Sequence, residues 1–279
     1  MEKIKIITDS TADLPLDIVE KYDIEVIPLT VHFGKESYKD GIDIKLNEFL
    51  KKMEESNELP VTSQINPQCF YEYYNRYIKE GYKIISIHIS SKLSGTYQSA
   101  CIAKDMIGSE DIIVIDSFNV TSGLGLLVIK AAKLVKEGFK IKEIEEKIIE
   151  IIPHVKSAVA FESLENLVKG GRLSKTAGVI GGILNIRIII TIENGEIIVF
   201  DKVRGSKKAA KVIWDYLKEK GIKSGETVAL VQAENKNILE ILKENLITEK
   251  IEFIETEVGC VVGTHSGTGA CGLFFIEKY

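Results

Sequence analysis

Short apolar runs alternate with amphipathic stretches through the first half of the chain, and that alternation admits few folds. Residues 4–7, 24–31, 84–89 and 112–115 are almost wholly aliphatic, a pattern suited to strands covered on both faces. Between them apolar residues recur at helical spacing. Ile18, Val19 and Tyr22 follow Asp13 and Pro15, a charged helix spans residues 46–53, Phe70, Tyr73, Tyr74 and Tyr77 form a stripe, and another helix starts at Ser94. Parallel strands joined by covering helices are the expected result. Two longer helices follow. One carries Leu124, Leu127, Val128, Ala131 and Val135, the other Ile141, Ile144, Ile148 and Ile151, each with one apolar stripe.

From about residue 155 the character changes. Residues 155–161 read as a strand, Gly170-Gly171 and Gly181-Gly182 punctuate a short helical region, and Asn194-Gly195 joins two apolar strands as a hairpin. A helix over 206–220, strands at 227–231 and 251–257, and a glycine-rich terminal segment complete a second α/β unit. The expected fold class is therefore α/β with two domains, an N-terminal parallel sheet with covering helices (1–156) and a C-terminal mixed sheet (157–279), with a ligand between them. A chain of 279 residues is long enough for both and for an internal cavity.

Charge and cysteine usage narrow the function. Lys and Arg number 36 against 41 Asp and Glu, a net charge of -5 that disfavours nucleic acid as a partner. Cys69, Cys101, Cys260 and Cys271 lie far apart with no paired spacing, which points to no metal site, no disulfide framework and a reducing, cytoplasmic location. The start of the chain lacks the pattern of a secretory signal. Residues 258–276 carry no charge, but their glycines and the central Thr264, His265, Ser266 and Thr268 suit a polar loop flanked by strands rather than a membrane span. Gly267 to Gly272 match a dinucleotide fingerprint in letters only, because seven residues cannot build the helix that must follow. No triphosphate loop occurs, and no cofactor is implied.

Hydroxyls gather at strand ends: Thr8-Asp9-Ser10-Thr11, Ser90-Ser91 and Asp116-Ser117. Ligands of open parallel sheets bind outside the carboxyl ends of the strands, so these groups are expected to converge on one crevice. The competing reading makes them helix caps. The turn from Ser91 to Thr96 suits a carboxylate or phosphate at a helix start, and Thr62-Ser63-Gln64 is a second hydroxyl cluster between Pro60 and Pro67. His265 sits among glycines, and Arg204 precedes the basic helix carrying Lys207 and Lys211 as a candidate anion clamp.

Taken in order, Asp9-Ser10-Thr11-Ala12-Asp13-Leu14-Pro15, Thr62-Ser63-Gln64, Ser90 to Thr96, Asp116-Ser117, Gly170-Gly171-Arg172 and Gly263-Thr264-His265-Ser266-Gly267 resemble the DegV family of bacterial fatty-acid-binding proteins across residues 3–278. The resemblance implies a non-catalytic carrier that buries one long-chain fatty acid, such as palmitate, and presents it to a fatty acid kinase subunit for phospholipid synthesis, with transient membrane contact. It implies Thr62, Ser94, His265 and, by a looser match, Arg204 as carboxylate ligands. Arg187-Ile188 and Thr268 depart from the family pattern. Two other readings stand beside it. One is a serine esterase or acyl-transfer enzyme using Ser94 and His265; the other makes the glycine-rich tail and the basic helix a partner-docking surface.

Overall fold

The computed structural model describes residues 2–56, 59–173 and 185–279. The first half runs β1 (Ile4–Asp9), a 3-10 turn at Ser10–Ala12, α1 (Leu16–Tyr22), β2 (Glu25–Ile27), β3 (Thr30–Phe33), β4 (Glu36–Lys39), α2 (Leu46–Glu55), β5 (Val61–Ser63), α3 (Pro67–Lys79), β6 (Lys83–His88), α4 (Thr96–Ile107), β7 (Ile112–Asp116), α5 (Ser122–Lys136) and α6 (Ile141–Ile151). Strands β2-β1-β6-β7 form a parallel sheet in that order. Every residue of β1 is buried, which is why the run is aliphatic without alternation.

The run at 24–31 is not one strand. Pro28 has no amide to offer a ladder, so β2 ends at Ile27 and β3 enters a separate antiparallel sheet, β4-β3-β5. The segment between Pro60 and Pro67 supplies β5, whose Thr62 lies opposite Val31. Helix α6 buries the expected stripe of Ile141, Ile144, Ile148 and Ile151. Helix α5 differs from expectation, for it is buried on nearly all sides, packing against β1 and β6 and also against β8, β11 and β13 of the second half. A helix between two sheets needs apolar residues all round.

The second half runs β8 (Val155–Phe161), α7 (Glu165–Lys169), β9 (Ile186–Glu193), β10 (Glu196–Arg204), α8 (Ser206–Lys220), β11 (Val228–Gln232), α9 (Lys236–Thr248), β12 (Phe253–Glu257), α10 (Cys260–Ser266) and β13 (Cys271–Ile276). Its sheet, ordered β10-β9-β8-β13-β11-β12, is antiparallel except for the β11–β12 pair. Asn194 and Gly195 both hold positive φ in the two-residue hairpin between β9 and β10. Gly181-Gly182 lies outside the described residues. Helix α9, whose buried Ile238, Leu242 and Leu246 recur every fourth residue, went unread in the sequence.

The charge-free stretch at 258–276 is a helix followed by a central strand rather than a loop. All six residues of β13 are buried between β8 and β11, so charge is excluded by position. At Gly272 a Cβ would lie 2.2 Å from the Ala158 carbonyl oxygen, so only glycine lets β8 approach this closely. A buried tail is no docking surface. Among the described residues no helix is long and apolar enough to cross a membrane.

Candidate functional site: an apolar cavity with a polar end

An internal cavity encloses about 1050 Å³ of atom-free space, counting its open mouth. Its apolar wall comes from one face of the six-stranded sheet: Val159 and Phe161 on β8, Ile190 and Ile192 on β9, Val231 on β11 and Phe274 on β13. The spacing of two along β8 and β9 follows from strand geometry. Leu29, Ile89, Leu93 and Val120 close it from the first half.

Thr62, Ser94 and Arg172, three of the polar lining residues, gather around one histidine. His265, in the last turn of α10, has Nε2 3.0 Å from Thr62 Oγ1 on β5. Its Nδ1 is buried without a hydrogen-bond partner. That nitrogen faces Gly170, where a Cβ would lie 2.3 Å away, so glycine makes the space the imidazole occupies. Burial, and then the nearby Arg172 cation, push the His265 pKa down to about 4. Arg172 donates from Nε to the Leu93 carbonyl at 3.1 Å and from Nη1 to the Gly170 carbonyl at 2.7 Å. Burial lowers its pKa as well. Ser94, next to Leu93, has Oγ 2.9 Å from Thr96 Oγ1 and accepts the Thr96 amide at 3.3 Å, and it lines the cavity while serving the helix start.

Thr62, Ser94 and His265 are therefore brought together. Arg204 is not: it lies exposed at the end of β10 and does not line the cavity. Its neighbour Val203 is buried, and alternation along a strand turns Arg204 to the other face. The guanidinium at the cavity belongs to Arg172. Its signal was its place directly after the Gly170-Gly171 pair that shapes the imidazole pocket.

The strand-end hydroxyls do not converge as expected. Ser90 donates to the Gly195 carbonyl at 2.8 Å, Ser117 donates to the Asn119 carbonyl at 3.1 Å, and the Ser91 amide bonds the Asp116 carboxylate. These tie loops together. Of the three clusters only Thr11 lines the cavity. Behind it a fully buried network runs through Asp9, His88, Ser86 and Tyr74. Asp9 accepts the Thr11 amide and hydroxyl, the His88 Nδ1 at 2.9 Å and the Ile89 amide at 3.1 Å. Tyr74 donates to Ser86 at 2.7 Å, and Ser86 lies 2.6 Å from His88 Nε2. A neutral imidazole with its proton on Nδ1 gives every hydrogen in this chain an acceptor.

The esterase reading finds no geometry. Among the described residues no hydrogen bond joins Ser94 to His265, and no carboxylate orients the His265 Nδ1. No cluster of metal-ligating side chains occurs among them either.

Fold and site together define an α/β protein built around an apolar internal cavity with one polar end. The chain belongs to the DegV family, whose model, described as an uncharacterised protein family, matches residues 3–278. A DegV domain-containing protein of Clostridium acetobutylicum is 59% identical over 279 residues, covering 100% of both chains. The crystal structure of DegV, a fatty acid binding protein from Bacillus subtilis, superposes with a TM-score of 0.88 at 33% identity, covering 100% of each chain. The Streptococcus pneumoniae fatty acid kinase B3 protein loaded with linoleic acid superposes with a TM-score of 0.86 at 25% identity, covering 99% of this chain and 100% of that one.

Proposed function

We propose that this chain binds one long-chain fatty acid such as palmitate between its two α/β units, 1–156 and 157–279, and hands it to a separate kinase subunit without catalysing a reaction itself. The observation that carries the reading is the cavity, apolar over most of its wall, with Thr62, Ser94, Arg172 and His265 clustered at one end. Burying about fifteen methylenes at ~0.8 kcal/mol each is worth about 12 kcal/mol gross, against association costs of ~4 kcal/mol or more. A carboxylate in such a place needs hydrogen-bond donors, since a buried anion without them is expelled. Two hydroxyls, an imidazole and a guanidinium supply them. The relatives that bind fatty acids support the acyl ligand, and the streptococcal kinase B protein supports the kinase partner.

Native mass spectrometry of the protein expressed in bacteria is expected to show one acid per chain, and delipidated protein should take up stearate with the same stoichiometry. Thr62→Ala and Ser94→Ala should each weaken binding by about 1–3 kcal/mol, the cost of leaving a charged acceptor short of a partner. A folded protein that takes up no acid would end this reading. Unchanged affinity in both variants would move the head group elsewhere.

A further inference from the structure

Thr11 and Thr121 line the same cavity but take no part in the cluster around His265. Thr11 is fully buried and gives both its amide and its hydroxyl proton to Asp9. With its only hydroxyl proton given away, its oxygen can only accept. Thr121 stands at the head of α5, where a threonine hydroxyl ordinarily caps backbone amides. Here it makes no capping bond. Its Oγ1 is buried without a hydrogen-bond partner, in a residue 7% exposed.

Its backbone sits at φ 48°, ψ -136°, a conformation that a β-branched residue enters only under constraint. Glycine would relieve the strain but would have no hydroxyl. Burial raises the Asp13 carboxyl well above its ordinary range and the Thr121 hydroxyl pulls it back, so the two lie close. Asp13 Oδ2 is itself unpartnered. A Thr121 proton turned toward that carboxyl leaves its lone pairs for the cavity, as in Thr11.

We propose that Thr11 and Thr121 form an acceptor station in the cavity wall that receives the hydroxyl of a hydroxylated long-chain acid. The proposal rests on the acyl-chain reading and adds a ligand class to it. A plain chain leaves both oxygens against methylenes, whereas a chain hydroxyl at this depth donates to one of them and recovers the hydrogen bond it gave up in water. A carboxylate, which has only acceptors, is repelled here. The station therefore also favours the orientation that places the head group at His265.

The test uses delipidated full-length protein, stearate, and a set of hydroxystearates with the hydroxyl moved along the chain, each titrated calorimetrically. One positional isomer is expected to bind roughly tenfold or more tighter than stearate, because a site built to bond a hydroxyl discriminates against the analogue lacking it. Thr121→Val should abolish that preference, and Thr121→Ser, which keeps the hydroxyl, should retain it. Stearate binding with every hydroxystearate weaker overturns the station and leaves the fatty-acid reading intact. An equal loss for both ligands in Thr121→Val also overturns it, assigning the threonine to the head group. Binding of neither ligand removes both proposals.

Discussion

Asp9→Ala is expected to destabilise the chain by about 4 kcal/mol or more, a loss found only where a buried network is broken. The carboxylate is fully buried at the end of β1, and four donors meet on it. The Thr11 hydroxyl can rotate to another acceptor. The Thr11 and Ile89 amides and the His88 Nδ1 are fixed by backbone and packing, and each orphaned donor costs about 1–3 kcal/mol. Against a total stability of ~5–15 kcal/mol, such a loss leaves much of the protein unfolded on modest heating. Asp9→Asn gives a sharper check. Its carbonyl can still serve Thr11, but its amide then faces the His88 and Ile89 donors, so it too should be strongly destabilised. Asp215→Ala, which removes an exposed partner of Lys211 on α8, should stay within about 0.5 kcal/mol of the parent in the same denaturant titrations. A mild Asp9→Asn would mean that the hydrogen-bond directions assigned to the network are wrong.

That network also shows where the sequence was readable and where it was not. The strands of the parallel sheet stand out because burial on both faces favours aliphatic residues, a signal that local composition carries. Local pattern marks the segments holding Thr62, Ser94 and His265, the family resemblance alone gives these three a carboxylate role, and all three line the cavity. Their meeting depends on contacts between residues about two hundred positions apart, as in the Thr62–His265 bond, which no local pattern encodes. The exchange of Arg204 for Arg172 has a similar cause. Whether a basic residue at a strand end faces a cavity depends on the register of that strand, and a shift of one residue reverses the answer. The reading of 24–31 as one strand failed for a local reason that was in plain view, since Pro28 interrupts it. The long-range coupling of Thr8 and Asp9 to β6 turns a cluster expected to present ligand-facing hydroxyls into a support behind the wall, where Thr11 alone lines the cavity.

His265 should make stability depend on acid in a way that the ligand reverses. In the folded chain its pKa is about 4, against its ordinary 6.5. Between those values the unfolded chain holds a proton that the folded chain does not, so this group's contribution falls as pH drops from about 6.5 to about 4, then levels off. At ~1.4 kcal/mol per pH unit the loss is at most about 3.5 kcal/mol. Asp13 acts with the opposite sign. Burial raises its pKa, so in the folded chain it takes up its proton at higher pH than in the unfolded chain, and its contribution grows as pH falls toward 3.8. The two slopes overlap in the parent, and His265→Gln removes only the first. Denaturant titrations should therefore show the variant gaining about 2–3 kcal/mol on the parent between roughly pH 7 and pH 4. A fatty acid carboxylate held against the imidazole favours its protonated form, so binding takes up a proton and affinity in the parent should tighten as pH falls from about 7 toward 5, with His265→Gln staying nearly flat. Parallel pH profiles for parent and variant, in both stability and affinity, would show that the imidazole neither loses its proton on burial nor meets the head group.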